Sequence, residues 1–403
     1  MRPSHQARDR DAGVTLVYVA KYPESVFWSQ VFEILATLES RPDGIIERVV
    51  LLAGVDSRAS RADVRKLEDA CREGGIRLQM FSYHPIYPFL FELTVRGLRT
   101  TLSRLDVDWK NTVLHIRDEM NAFLLWRAGH QDVRRTLVDV RAANVEEVSI
   151  YGRAPTALKA LKLRYKRAAL QTLARYPHIS VVSERLKDYV YESASLDVET
   201  VHCGVVPSLA GRGFQFNPAA RESTRRELGL EEGEIAVVFS TGGTSGWQQN
   251  ERIVAHFGHL GVKIINLSKI EIDRPHVSNL FVDYGDVPRH LMAADVAVLW
   301  REDNVVNHVA SPVKFAEYVC CGLPVIVSQS VSGAARFVEE GHPGLVIDEL
   351  DDVSIDGLRR IAGEEEREAL GASAWAHYGV ESGVQAYLSR YRGMIDGPER
   401  PTE

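Results

Sequence analysis

Short apolar, β-branched runs alternate with amphipathic stretches along most of the chain. VTLVYVA (14–20), IERVVLLAG (46–54), IRLQMFSYH (76–84), NTVLHIRD (111–118) and RTLVDVRAA (135–143) are the strand candidates. Several are apolar almost throughout rather than at every second position, as strands buried on both faces are. VFEILATLES (31–40) and RADVRKLEDACREGG (61–75) read as helices, the second stopped by two glycines. HISVVSERLKDYV (178–190) is a strand running into a helix. Strands alternating with helices predict a parallel sheet covered on both faces.

The alternation breaks at GVVPSLAGRGFQFNPAA (204–220), rich in Gly, Pro and small residues, and such a break marks a domain junction. It then restarts. EIAVVFSTGG (234–243), VKIINLS (262–268), LFVDYGD (280–286), VAVLW (296–300) and LPVIVSQ (323–329) are further strand candidates. The expected architecture is α/β, with two doubly wound domains in tandem. The first spans 13–203 and the second 204–378, with 204–225 as the junction. A terminal helix over 379–396 carries Val384, Tyr387, Leu388 and Tyr391 on one face and is expected to pack back on the first domain. Residues 1–12 are expected to be a disordered N-terminus and 397–403 a tail.

Length and charge sharpen this picture. A chain of 403 residues exceeds one ordinary core. A net charge of -7 weighs against a nucleic-acid protein. The four cysteines, at 71, 203, 320 and 321, form no CxxC or disulfide framework, which fits a reducing compartment. No run approaches the roughly 18 apolar residues of a membrane span, and the start does not read as a signal peptide. A cytoplasmic location is expected.

The densest signal is SPVKFAEYVCCGLPVIVS (311–328), a short helix between two parallel strands, joined by a right-handed crossover. Ser311 suits the N-cap, Pro312 the first turn and Gly322 the stop, giving a helix near Val313 to Cys321. Its N-terminus lies at the carboxyl end of the preceding strand, where open α/β sheets bind ligands and free amides favour an anion. Lys314 in the first turn opposes the helix dipole unless an anion sits there. Glu317, one turn on, shares its face, and a carboxylate there can accept a ribose 2′,3′-diol. The competing reading is a plain Lys–Glu pair on a solvated face.

This stretch resembles the donor-nucleotide motif of retaining glycosyltransferases of family 4, which have the GT-B fold. YGDVPRHLMAADVAVLW (284–300) resembles the segment that precedes it in that family. FSTGGTSGWQQN (239–250) resembles the Gly-rich turn of the donor domain, in the subgroup with Trp-Gln. HIRDEMNAFLLWRAG and LVDVRAANVEEVSIYG resemble acceptor-domain segments of polysaccharide-assembly members. The resemblance implies two Rossmann-like domains facing across a cleft. It implies transfer of a sugar from a nucleotide-diphosphate sugar, with retention and no required metal or other cofactor, to a saccharide, lipid-linked or other glycoconjugate acceptor. By position, Glu317 would bind the ribose. The backbone at Ser311, Pro312 and Val313 would lie at the diphosphate. Gly242 and Gly243 would let the chain approach the phosphates, Trp247 would contact phosphate or close the cleft, and the segment 282–288, with Tyr284, would line the base.

Two departures stand out. The family's second glutamate, which contacts the donor sugar, is Val309 here. The strand end that often carries a histidine near the anomeric carbon reads Asp139-Val140-Arg141. Arg141, Lys314 and Arg117 are therefore the candidates for the charge that a departing diphosphate needs, and Asn304 and Asn307 for sugar contacts. Asp139, Glu146, Phe27 and Trp28 are the acceptor-side candidates. The alternatives are a nucleotide-sugar epimerase of the same fold and a non-catalytic scaffold. RAPTALKALKLRYKRAALQTLAR (153–175) has seven basic residues and no acid. It reads as an ordinary surface helix or as a face for an anionic membrane, which would make the protein peripheral there. No GxGxxG follows the first strand, GGTSGWQQN lacks a P-loop Lys, and no GxSxG occurs. Dehydrogenase, P-loop and serine-hydrolase chemistry are thereby unsupported.

Overall fold

The computed structural model describes residues 13–24, 26–41, 45–84, 88–130, 132–241 and 250–396. The expected N-terminal disorder and C-terminal tail lie outside these residues. The first sheet has seven parallel strands: β1 (Val14–Tyr22), β2 (Ile46–Asp56), β3 (Arg77–Tyr83), β4 (Thr112–Arg117), β5 (Thr136–Val140), β6 (His178–Val181) and β7 (His202–Val205). Their order is β3-β2-β1-β4-β5-β6-β7. Side chains alternate between faces along a strand. Val17 and Val19 enter one core layer while Leu16, Tyr18 and Ala20 enter the other. All five are fully buried, which is why β1 reads as a continuous apolar run. Helix Val380–Asp396 covers the second of these faces with Val384, Tyr387, Leu388 and Tyr391.

The second sheet repeats the plan with β8 (Ala236–Thr241), β9 (Lys263–Ser268), β10 (Val277–Asn279), β11 (Val296–Leu299), β12 (Val325–Ser328) and β13 (Gly344–Ile347). The order is β10-β9-β8-β11-β12-β13, again parallel. A buried charge cluster pins its amino end. Asp295 takes Arg221 at 2.6 Å, Arg225 at 3.0 Å, Arg367 at 3.5 Å and the amide of Ala236 at 2.7 Å.

One expected strand is displaced. The run 280–286 is not a strand: β10 ends at Asn279, and Tyr284–Asp286 is a helical turn. The Asn279 side chain accepts from the Asn266 amide group and exchanges hydrogen bonds with the backbone of Ile272, and the chain leaves the sheet there. Phe281, which made the run look like a strand, is 71% exposed. The edge strand β7 was not anticipated, because His-Cys-Gly-Val carries no strand-like apolar pattern.

In each sheet the strand order reverses beside the first strand, between β1 and β4 and between β8 and β11. Ligands of open α/β sheets bind outside the carboxyl ends at such switch points. The carboxyl edges of the two sheets meet across the molecule. Ser183, just after β6, donates to the carbonyl of Val309 at 2.6 Å, and Asn304 donates to the Tyr151 hydroxyl at 2.6 Å. The two chain crossings run side by side, with the Ala210 amide donating to Tyr378 and the Val380 amide to Ala210. Both switch points therefore open towards one interdomain cleft.

Candidate active site

On the second domain the cleft is built around helix Val313–Cys320. The amides of Val313 and Lys314, at its first two positions, have no acceptor within the helix, while that of Phe315 donates to the Pro312 carbonyl at 3.0 Å. Pro312, not Ser311, is the N-cap. The Ser311 hydroxyl instead accepts from the Ser208 amide at 3.0 Å, so it braces the domain crossing. Gly322 ends the helix with φ +69°, and a Cβ there would lie 2.6 Å from the Arg367 carbonyl oxygen. Only glycine fits.

Lys314 and Glu317 form the pair that their spacing allows, Nζ to Oε2 at 2.8 Å. The lysine is 27% exposed and the carboxylate 1%. This is not a solvated surface pair, since Glu317 is held under the helix. Lys314 also lines a small cavity of about 50 Å³ with Ser240, Asn250, Trp300, Arg301 and Tyr318. Arg301 was not singled out from sequence. It lies two residues past the apolar strand β11, and that position is the signal that could have found it. Ser328 and Ser330 clamp its backbone, and it pairs with no carboxylate among the described residues. Burial pulls its guanidinium down to about 10. Two cations thus converge at the β8–β11 switch point beside free helix amides, an arrangement suited to a diphosphate. Gly242, Gly243 and Trp247 lie outside the described residues. Tyr284 packs on Phe214, and its buried hydroxyl has no partner among the described residues.

Several other candidates are corrected by their surroundings. Arg141 donates to the Val206 carbonyl, the Tyr387 hydroxyl, Gln30 and Ser208, so it is a brace of the crossing. Arg117 is 5% exposed and lies between Asp139 and Glu24. Asp139 is fully buried and cannot touch an acceptor. Burial alone would raise its pKa, but Arg141, His115 and Arg117 outweigh that and hold it well below the usual carboxylate range. Phe27 is fully buried against Tyr22 and Trp28, and Lys66 sits over the Trp28 ring, so these aromatics are packing and not a lip. Glu146 accepts from the Tyr189 hydroxyl. Asn307 is buried, donating to the Glu302 carbonyl, and Asn304 caps Val305–His308. Neither amide is free for a sugar.

The first domain does offer chemistry at its own switch point. Asp118, just past β4, has φ +77°, a strained conformation for a non-glycine residue. Its carboxylate caps helix Glu119–Arg127 through the Met120 amide at 2.7 Å. Lys166 Nζ lies 4.0 Å from both Asp118 and Glu119. Glu119 is 1% exposed and its Oε2 has no hydrogen-bond partner among the described residues. Burial, then the Asp118 charge, pushes its carboxyl up to about 8. Burial likewise raises Glu24 and Glu147. Burial alone would lower Lys166, but Asp118, Glu119, Glu147 and Glu24 keep it firmly protonated. The sequence showed this cluster only as RDE immediately after an apolar strand. Lys166, read as part of the basic outer face of helix Thr156–Thr172, turns inward instead. The two switch points therefore carry opposite chemistry, a cationic cluster on the second domain and a carboxyl-rich one on the first. Among the described residues no group of three or more His, Cys, Asp or Glu is arranged to hold a metal ion.

A sequence profile of the family described as "Glucosyltransferase 3-like, C-terminal domain" matches residues 295–377, the stretch holding Arg301, Lys314 and Glu317. No curated protein matches the chain. Among solved structures, a glycosyltransferase from Rickettsia africae ESF-5 superposes with a TM-score of 0.68 at 11% identity, covering 96% of this chain and 99% of that one. Anabaena Alr3699/HepE, solved with UDP and glucose, gives 0.66 at 14% identity over 94% and 100%. WaaG, a glycosyltransferase involved in lipopolysaccharide biosynthesis, gives 0.63 at 13% over 95% and 100%. The fold is that of the GT-B glycosyltransferases.

Proposed function

We propose that this protein is a retaining glycosyltransferase that moves a sugar from a nucleotide-diphosphate sugar to a saccharide, lipid-linked or other glycoconjugate acceptor in surface-polysaccharide or glycoconjugate assembly. The observation that carries the reading is the convergence of Arg301, Lys314 and the buried Glu317 at one helix N-terminus. Glu317 would accept the ribose hydroxyls. Arg301, Lys314 and the amides of Val313 and Lys314 would hold the diphosphate. In the reaction the bond from the anomeric carbon to the diphosphate oxygen breaks. A bond to the acceptor oxygen forms on the same face, and the acceptor proton passes towards the departing diphosphate. Fixed cations placed where that charge develops need not reorganise, and two of them can meet it without a metal. Asp118 and Glu147 would orient acceptor hydroxyls. A lipid-linked acceptor would bring the outer basic residues Lys159, Lys162, Arg164 and Arg167 to an anionic surface as a peripheral contact. No helix of the described residues is long and apolar enough to cross a membrane.

The test is release of nucleoside diphosphate from a panel of nucleotide sugars, UDP-glucose first, with and without candidate acceptors, and NMR assignment of the product anomer. Nucleotide binding without release from any donor and acceptor would overturn the reading in favour of a scaffold. The Glu119–Lys166 pair supports a second reading, a nucleotide-sugar epimerase, since it supplies the acid–base groups that such chemistry needs. An epimerase would convert the donor with no acceptor present.

A further inference from the structure

We infer that the first domain carries a second binding site, for a small organic phosphate, at the end of its sheet opposite the cleft. A cavity of about 920 Å³ opens there. It crosses the amino ends of β4 to β7, lined by the first residue of each strand, and the last turn of helix Val380–Asp396 roofs it. Strands of four to six residues set it roughly 13–20 Å from the cleft edge. A ligand there is out of reach of the chemistry.

The lining is cationic in a chain of net charge -7. Lys110, Arg134, Arg135 and Arg390 face the cavity against two carboxylates. One of those, Asp132, is already taken by Arg134 through both oxygens. Arg390 has no such partner. Its guanidinium lies over Gly204 in the edge strand, where a Cβ would meet it at 1.7 Å. Its buried Nε makes no hydrogen bond, and it forms no ion pair among the described residues. Beside it the rings of His178 and His202 stack with centroids 5.7 Å apart. Burial, then the neighbouring His202 and Arg390, makes His178 harder to protonate than an ordinary histidine. An anion would satisfy the guanidinium and relieve the imidazole pair together. Trp109 and Met394 add apolar wall, which suits an organic phosphate over a bare ion, and the volume is that of a small-ligand pocket.

Inorganic diphosphate is the probe, titrated calorimetrically into the full-length protein. It should also fit the donor helix, so the wild type is expected to take two equivalents. Arg390→Gln should lose the cavity site, weakening it about tenfold or more, and keep the other. Lys314→Gln should do the reverse. His178→Asn is a second lesion in the same cavity and should copy Arg390→Gln. Wild-type stoichiometry and affinity in both cavity variants overturns the inference. So does a wild type that binds no diphosphate, or one with a single site abolished by Lys314→Gln.

Discussion

If Glu317 holds the ribose, its replacement and removal of a ribose hydroxyl are one perturbation seen from two sides. Glu317→Gln keeps shape and one acceptor oxygen but loses the charge. The protein should tolerate it. Glu317 is 1% exposed, but the partner left behind, Lys314, is 27% exposed and can turn to water. A hydrogen bond to a charged group contributes about 1.5–3 kcal/mol, so the variant should bind UDP about 10- to 150-fold more weakly. Wild type should lose a comparable amount when offered 2′-deoxy-UDP. The decisive quantity is the coupling. In Glu317→Gln the further penalty for 2′-deoxy-UDP should shrink to below about 0.5 kcal/mol, leaving an interaction energy of about 1–2 kcal/mol in the double-perturbation cycle. Calorimetry on two proteins and two nucleotides closes the cycle, and if another base binds, its own ribo/deoxy pair replaces UDP. Equal discrimination by both proteins would refute the ribose contact, whatever the absolute affinities.

Arg301→Gln and Lys314→Gln should each lower turnover about 10- to 100-fold, and together by less than the product, since both face one cavity; steady-state release of nucleoside diphosphate reports this. Turnover should persist after dialysis against EDTA; loss that is restored by Mg²⁺ or Mn²⁺ would overturn the two-cation account. Glu119, pushed up to about 8 from roughly 4.3 in an unfolded chain, binds its proton more tightly when folded, so its contribution to stability falls as pH rises between those values, at most by about 1.4 kcal/mol per pH unit. Urea unfolding of Glu119→Gln should thus gain on wild type from pH 5 to 8, and a constant difference would refute the raised carboxyl. Asp295→Asn, which leaves Arg221, Arg225 and Arg367 without their shared carboxylate, should cost about 3–5 kcal/mol, read from the same denaturant curves.

The double sheet was legible because parallel strands buried on both faces write themselves as apolar runs. β1, β2 and β12 are such runs, and the Gly-Pro break at 204–220 separates the halves. What failed did so for local reasons. Phe281 and Val282 imitate a strand, but Asn279 turns the chain out of the sheet first. At the site, Lys314 and Glu317 were visible because helix spacing puts them together and the chain punctuates that helix clearly. Arg141, Asp139 and Phe27 looked available because sequence does not reveal burial. Arg141 finds four partners from three separate segments, contacts between residues up to 246 positions apart. The Asp118–Glu119–Lys166 cluster joins residues almost fifty positions apart, and no local pattern encodes that meeting.

Val309 stands where the resembling family has a carboxylate for the donor sugar, and its surroundings give a physical reason why none stands here. Its side chain is 3% exposed and packs into a core layer of the first domain, with Val305 beside it. Its carbonyl accepts from Ser183. A carboxylate at that position would be driven into an apolar layer without a partner, at a cost of several kcal/mol, or would pry the domains apart. At this position the chain makes a contact across the cleft. Asn304, bound to Tyr151, and Asn307, bound within its own loop, are not free for a sugar either. Under the proposed function, the groups left to distinguish donor sugars are Arg301 and Lys314 on the second domain and Asp118 and Glu147 on the first. Selectivity for the sugar would then be set by the first domain as much as by the nucleotide-binding second. A domain contact that orders both clusters would be a precondition for choosing the donor as well as for transferring it.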